Sequence, residues 1–246
     1  MGTHRPRPPC AGGSGASRRC AAEVGVRLRG RGGDRGCRPA AGPDGFTTFV
    51  AAPAAARLHQ DHPGISVEIV SATRRAAQHR YGLDIEIVVG EPRVLRARAL
   101  RLGGYVLGLY ATPDYLARHG KPTGFDDLAR HRLIYFISSR LQVDDLDVGG
   151  RFLPEMRDAV TSTNVFAHIE ATCAGGGIGL LPTFMIAPHR DVVRLLPGEV
   201  TVDMAYRLDA REDTLRRPAV AAMVKQLRRT MKEMGNVLST TTAPGA

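Results

Sequence analysis

The chain has 246 residues, of which 43% are hydrophobic and 24% are charged, and its formal net charge is +10. This length supports one large domain or two small lobes with cores of their own, and the apolar content excludes a wholly disordered chain. The sequence contains neither the roughly 18 uninterrupted apolar residues of a membrane span nor the apolar core of a secretory signal. We therefore expect a cytoplasmic protein with no membrane partner.

Residues 1–44 differ in composition from the rest of the chain. Nine arginines and two acids lie before residue 44, so most of the positive charge belongs to this segment and the remainder is nearly neutral. Glycine and proline recur there without a helical or strand period, which predicts a disordered leader or the product of a mistaken start site. The stretch Arg29–Gly33 also resembles an RNA-binding Arg/Gly tract. Because Cys37–Pro43 has the pattern of a loop, we expect no strand directly before Asp44.

From Asp44 onward, helical and strand patterns alternate. Asp44–Thr48 predicts a helix start in which Asp or Thr caps the free N–H groups. The elements that follow are a helix over 51–59, a strand over 65–70, a short helix over 74–81 and a strand over 83–89. This strand–helix–strand order indicates an α/β fold with parallel strand pairing.

The second half continues with shorter elements. Gly103-Gly104 predicts a turn between strands over 99–102 and 105–110. The remaining predicted helices are 113–120, 124–128, 163–174 and 218–234, and the remaining strands are 133–137, 178–182, 192–196 and 200–208. The last helix is long, basic and amphipathic, and the residues after it are expected to fray.

Six blocks in one order carry a resemblance to a known family. They are Asp44-Gly45-Phe46 with Ala52-Pro53, His62-Pro63-Gly64-Ile65 with Val67-Glu68, Gly82-Leu83-Asp84-Ile85, Tyr115-Leu116-Ala117-Arg118-His119-Gly120-Lys121-Pro122, Asp127-Leu128-Ala129-Arg130-His131, and Ala174-Gly175-Gly176-Gly177-Ile178-Gly179-Leu180-Leu181-Pro182. In this order and spacing, the chain from Asp44 to about Lys232 resembles the effector-binding domain of LysR-type transcriptional regulators.

The resemblance implies an α/β fold like that of type II periplasmic binding proteins, with two α/β lobes joined by two crossing strands. The effector-binding domain would occupy 45–235, with lobe I at about 45–90 and 190–235, lobe II at about 91–189, a disordered leader at 1–44 and a frayed tail at 236–246. Glu86 falls where the family usually has a small apolar residue, and an outward-facing side chain would accommodate it.

The resemblance also places a set of small polar residues in the cleft between the lobes. They are Thr47, Thr48, Ser71, Thr73, Thr161, Ser162, Thr163 and Asn164, with Pro182 on the hinge side. Hydroxyl groups at helix starts can bind a carboxylate without crowding it, so we expect a small anionic metabolite as the effector. Any one of these threonines could instead be an ordinary helix cap.

The sequence predicts no catalytic residues, no metal site and no cofactor. It contains no GxSxG, HExxH, phosphate-loop or CxxC motif. Residues 1–44 contain no recognisable helix-turn-helix, so we expect DNA binding only through such a domain and not through this chain. The family also implies a homo-oligomer. Two alternatives remain, a stand-alone solute-binding protein and an RNA-associating protein that uses the Arg/Gly-rich leader.

Overall fold

The computed structural model describes residues 27–30, 40–71, 84–89, 98–137 and 153–235. Its strands are β1 (Arg27–Gly30), β2 (Ala40–Gly42), β3 (Ile65–Ser71), β4 (Glu86–Val89), β5 (Arg98–Ala111), β6 (Arg132–Phe136), β7 (Arg157–Ser162), β8 (Ile178–Pro182), β9 (Val193–Leu195) and β10 (Thr201–Ala210). Its α-helices are α1 (Asp44–Phe46), α2 (Ala52–Asp61), α3 (Pro113–His119), α4 (Val165–Cys173), α5 (Thr183–Ile186), α6 (Glu212–Leu215) and α7 (Pro218–Glu233). A π-helical turn, Thr47–Ala51, joins α1 to α2, and a 3₁₀ helix covers Phe125–Arg130.

The described strands form a curved mixed sheet in the order β1-β3-β2-β4-β10-β5-β8-β6-β7, with β9 paired to β5. Parallel pairs occur towards both ends of the sheet, β2 with β3 and β4 on one side, and β6 with β7 and β8 on the other. The long antiparallel strands β5 and β10 lie between these two parallel groups. This arrangement gives two α/β lobes joined by two crossing strands, as the sequence predicts.

Strand β5 is continuous, so the predicted turn at Gly103-Gly104 is wrong. Gly103 pairs with Tyr206 and Gly104 with Ala205 of β10, with a register shift immediately after Tyr206. A Cβ atom on Gly103 would collide with the Cε methyl of Met231 in α7. Glycine is therefore used here for the close approach of a helix to the strand, which is the second common use of glycine besides a turn.

Two short strands lie within the segment predicted to be a disordered leader. Strand β2 (Ala40–Gly42) lies between β3 and β4, and β1 (Arg27–Gly30) pairs antiparallel with β3. The expectation that no strand directly precedes Asp44 is therefore wrong. The residues Ala-Ala-Gly have no strand signature of their own. Pairing with the neighbouring strands, and not their side chains, determines their extended conformation.

The buried core is continuous through both lobes. The apolar side of α7 packs on lobe I through Val220, Met223, Val224, Leu227 and Met231, at the helical spacing that the sequence predicts. Glu86 is also buried, with 9% exposure, so it does not face outward. It pairs in register with Asp209 of β10, which is 4% exposed. Within the described ranges, none of the helices combines the length and apolar character needed to cross a membrane.

Candidate functional site

The start of the first helix brings two predicted site residues together. Thr47 is buried, and its hydroxyl donates a hydrogen bond to the carbonyl oxygen of Asp44 at 2.9 Å. Its Oγ1 atom also shares a hydrogen bond with Oγ of Ser71, at the end of β3. The helix start and the strand end are therefore held side by side. Thr48 is exposed, and Thr73 lies outside the described residues.

Asp44 belongs to this cluster, although its sequence position predicts only a helix cap. The residue before the helix is Pro43, and Asp44 occupies the first helical turn. Burial raises the pKa of its carboxyl, while a hydrogen bond with the Ser71 side chain lowers it. The lobe I side of the cluster therefore combines two hydroxyls with a half-buried carboxyl. A single aspartate at a helix start has no motif of its own, so no local signal identifies its place in the cluster.

On lobe II, four predicted residues form the connection from β7 to α4. Thr161 and Ser162 end the strand, and Asn164 caps the helix by accepting a hydrogen bond from the backbone N–H of Phe166 at 2.8 Å. The backbone N–H of Asn164 donates to the Ser162 hydroxyl at 3.1 Å. Thr161, Thr163 and Asn164 are exposed. The capping role considered for threonine at this helix start therefore belongs to Asn164.

Aromatic side chains connect the two helix starts across the lobes. Helix α1 contacts α4, and the ring centroids of Phe49 and Phe166 lie 6.4 Å apart. Phe49 also meets the edge of Phe184 in α5, with a centroid distance of 5.6 Å. The lobe I and lobe II parts of the predicted cluster thus lie on elements that touch. Neither Phe49 nor Phe166 could be assigned to the site from the sequence, because their apolar character is equally typical of core positions.

Pro182 lies where β8 meets the crossing strand. It is buried, and it pairs in register with Leu107 of β5. The next residue, Thr183, is buried and receives a hydrogen bond from the Tyr110 hydroxyl at 3.3 Å. Both residues therefore connect lobe II to β5, one of the two strands that pass between the lobes.

His168 lies directly behind the β7–α4 connection and is fully buried. Its Nε2 atom lies 3.1 Å from the carbonyl oxygen of Ser162, while Nδ1 has no hydrogen-bond partner among the described residues. The ring packs edge to face against Phe136 at 4.6 Å. Burial lowers the pKa of this histidine, and the hydrogen bond with Ser162 acts in the opposite direction. His168 has no sequence signal of its own, because a single histidine inside a helix forms no motif.

A surface pocket of about 410 Å³ lies elsewhere, where the start of α3 meets the end of α4. Its polar lining includes Asp114, Arg118, Arg190 and Asp191, and it contains none of the predicted site residues. Cys173 is at its wall, with Sγ 3.6 Å from Nδ1 of His189. Burial raises the pKa of this thiol, and the nearby Glu170 and Asp191 raise it further. In the part of the chain that the structure describes, no three or more His, Cys, Asp or Glu side chains are grouped to hold a metal ion.

The LysR substrate binding domain model matches residues 41–232 of this chain. The match covers well over half of the chain and includes both lobes and the two crossing strands. The chain therefore belongs to the LysR substrate-binding domain family, as the six sequence blocks predict.

Curated relatives match parts of the chain. The iron-regulated virulence regulatory protein IrgB of Vibrio cholerae is 30% identical over 128 residues, which is 51% of this chain and 43% of IrgB. The transcriptional regulator CrgA of Neisseria meningitidis is 32% identical over 85 residues, 35% of this chain and 28% of CrgA. The chain thus matches less than half the length of either relative.

Solved structures agree on the fold. The regulatory domain of CrgA from Neisseria meningitidis superposes with a TM-score of 0.67 at 20% identity, covering 77% of this chain and 96% of that domain. The effector domain of AmpR from Pseudomonas aeruginosa gives a TM-score of 0.62 at 22% identity, with coverages of 80% and 96%. At these identities the likeness shows the shared fold.

Proposed function

We propose that this chain is the sensor part of a LysR-type transcriptional regulator and binds a small metabolite between its two lobes. The observation that carries the proposal is the contact between helices α1 and α4, since the two sets of small polar residues lie at the ends of these helices and of the strands next to them. Thr47 and Ser71 are joined on lobe I, Ser162 and Asn164 form the start of α4 on lobe II, and α1 and α4 touch. Polar groups that converge from two lobes of this fold are suited to orient a small ligand.

The charges at the two clusters support an effector with one anionic group. On lobe I the Asp44 carboxyl lies beside the hydroxyls, so this side is suited to a neutral polar group or a hydrogen-bond donor. On lobe II, α4 begins with exposed Thr163 and Asn164 and carries no acid in its first turn. A helix start with its partial positive charge favours an anion. We therefore assign the anionic group of the effector to the start of α4.

The wider role follows from family membership. Within this proposal the effector controls transcription, the protein is a cytoplasmic homo-oligomer, and operator recognition belongs to a helix-turn-helix rather than to this domain. The proposal includes no catalytic step, metal or cofactor. Thr48, Thr73, Thr161 and Pro182 remain proposed as further lining residues of the cleft.

A thermal-shift screen of the full chain tests the sensor function. The panel pairs small carboxylic acids with the primary amides of the same skeleton, so that each pair differs mainly in charge. A carboxylate that binds at 100 times its Kd adds about 2.7 kcal/mol of stability. For a domain of this size that corresponds to roughly 5–10 °C in the melting temperature.

Isothermal calorimetry on the hits then locates the site. Thr47→Val is expected to weaken binding, whereas the matched change Thr214→Val in α6 is expected to leave it unchanged. Equal effects of the two substitutions would contradict binding at the cleft. Stabilisation by the amides as strong as that by the acids would contradict the anionic effector.

A further inference from the structure

The outward side of α7 carries a stripe of cationic side chains. Its apolar side is occupied by packing on lobe I, so the opposite side faces solvent. The exposed basic residues are Lys225, Arg228, Arg229 and Lys232. With 3.6 residues per turn and a rise of 1.5 Å, they occupy about 100° of the helix circumference and about 10 Å of its length. We call these four residues the basic stripe.

Two acids lie beside the basic stripe, and each is engaged: Asp61 of α2 accepts from Gln226 of α7 at 2.8 Å, and Glu233 binds Arg229. Glu233 accepts from Arg229 at 2.8 Å, and it also pairs with Arg57 of α2 at 3.2 Å. The hydrogen bond from Arg229 lowers the pKa of Glu233, and the charges of both arginines act in the same direction, so this acid stays ionised and engaged. Within the described ranges, none of the ion pairs involves Lys225, Arg228 or Lys232.

The acids near the start of α7 are paired elsewhere. Glu212 of α6 accepts from Arg216 at 2.9 Å, and Asp213 accepts from Arg211 at 3.2 Å. The outer side of α7 therefore carries a local excess of positive charge. The chain after residue 44 is nearly neutral when taken as a whole.

Stabilisation of the helix explains only part of the stripe. A cation in the last turn interacts favourably with the negative end of the helix dipole, and this effect falls off within that turn. Lys232 lies in the last turn of α7, whereas Lys225 and Arg228 lie one to two turns earlier. Neither packing nor the helix dipole therefore accounts for Lys225 and Arg228.

We propose that the basic stripe binds the phosphate backbone of duplex DNA without selecting a base sequence. Phosphates of one strand recur every 3.4 Å along the duplex axis, so a stripe of about 10 Å matches about three of them. Lysine and arginine on flexible stems are the usual partners of these phosphates. This activity lies beyond effector sensing, because it uses the outer side of α7 and not the polar clusters between the lobes. It also departs from the expectation that this chain does not bind DNA, although recognition of an operator sequence still belongs to a helix-turn-helix.

Fluorescence anisotropy of the full chain with a labelled duplex of mixed sequence tests the proposal. The variant carries Lys225→Gln, Arg228→Gln and Lys232→Gln, which keep the helix propensity and touch no core residue. The matched control carries Lys121→Gln, Arg132→Gln and Arg157→Gln, three exposed cations on lobe II. Both variants retain the arginines of residues 1–44, so the contribution of that segment is the same in each.

The readout is the slope of log affinity against log salt concentration between 50 and 200 mM. Each lost phosphate contact lowers the magnitude of this slope by about 0.9, so the stripe variant is expected to lose about 2.7. The control is expected to lose less than 1. Circular dichroism spectra and melting temperatures equal to those of the unsubstituted chain verify the fold of both variants.

Three results would overturn the proposal. An unchanged slope in the stripe variant would assign DNA binding to another segment, and equal losses in the two variants would indicate a general charge effect. Stripe-dependent binding to phosphatidylserine vesicles without binding to the duplex would assign the stripe to a membrane surface. If the triple variant unfolds, the single variants Lys225→Gln and Arg228→Gln are used in its place. Each is expected to lower the magnitude of the slope by about 0.9.

Discussion

The rings of Phe49 and Phe166 lie 6.4 Å apart with their planes inclined by 24°. Phe49 belongs to the π-helical turn after α1, and Phe166 lies in the first turn of α4. Both rings are partly buried against the core. The pair therefore links the two helix starts whose polar residues form the candidate site.

The hydroxyls of Thr47 and Thr163 are expected to contribute to effector binding. Thr47→Val removes the group that is hydrogen bonded to Ser71 and to the Asp44 carbonyl. Thr163→Val removes an exposed hydroxyl at the start of α4. One hydrogen bond is worth about 1 kcal/mol net, so each change should raise the Kd about fivefold to tenfold without unfolding the domain. Calorimetry with a carboxylate found in the screen measures the Kd, and an unchanged Kd for both variants would contradict the assigned cleft.

A side chain at Gly103 is expected to displace the end of the Met231 side chain. Gly103→Ala places a methyl group against the terminal methyl of Met231, which is the free end of a flexible side chain and can move aside, so we expect a cost of about 1 kcal/mol or less. Met231→Ala by itself should cost about 2–5 kcal/mol, since the side chain is buried. Urea unfolding of the two single variants and the double variant checks the contact. The cost in the double variant should fall clearly below the sum, and strict additivity would show that the two residues do not interact.

Asp84 and Arg217 connect β4 to the start of α7. Arg217 donates from Nη1 to the Asp84 carboxylate at 2.6 Å, and the Asp84 side chain is only 2% exposed. Arg217→Met should destabilise the domain by about 3 kcal/mol, because it removes the cation from a buried carboxylate. Asp84→Asn in the same chain should recover part of this loss. Chemical denaturation measures both values, and a loss below about 0.5 kcal/mol for Arg217→Met would contradict the buried pair.

His168 is expected to make the stability of the domain sensitive to acid. Its pKa is lowered by burial, so the unfolded chain binds the proton more readily than the folded one. Its favourable contribution is therefore fully present above the ordinary histidine pKa of about 6.5 and decreases as the pH falls below that value. Thermal unfolding between pH 7.5 and 5 should show a falling midpoint.

The control for this prediction is His168→Gln, which can still donate to the Ser162 carbonyl but does not titrate. Its midpoint should fall less steeply with pH than that of the unsubstituted chain. Parallel curves for the two proteins would mean that other groups, such as His131 with its similarly lowered pKa, carry the acid sensitivity.

Most helices and several strands could be predicted from local pattern, and the exceptions share one cause. The helix at Pro113–His119 has proline in its first turn and Gly120 after its end with φ 84°, which are strong local signals. Strand β2 has no such signal, and neither has the continuity of strand β5 through Gly103 and Gly104. Their conformation depends on neighbours that are distant in sequence, since β2 pairs with β3 and β4 and Gly103 packs under Met231.

The candidate site could be predicted in part. The family resemblance implied Thr47, Ser71 and Ser162 as cleft residues, and their role in binding stays a prediction, while the structure joins Thr47 to Ser71 by a hydrogen bond. The neighbours that define their environment carried no pattern. Asp44, Phe49 and His168 matter at this site through burial and through their partners across the fold, and neither property is encoded at their own positions.

The sequence by itself determined the family, the α/β class and the amphipathic faces of the helices, because periodicity and short motifs are local properties of the chain. The tertiary structure decided which of these elements meet. It joined Thr47 to Ser71, brought α1 against α4 through Phe49 and Phe166, and turned the cationic side of α7 outward by burying the opposite side. These contacts connect residues far apart in the chain, so they depend on the packing of the whole sheet and not on any one segment.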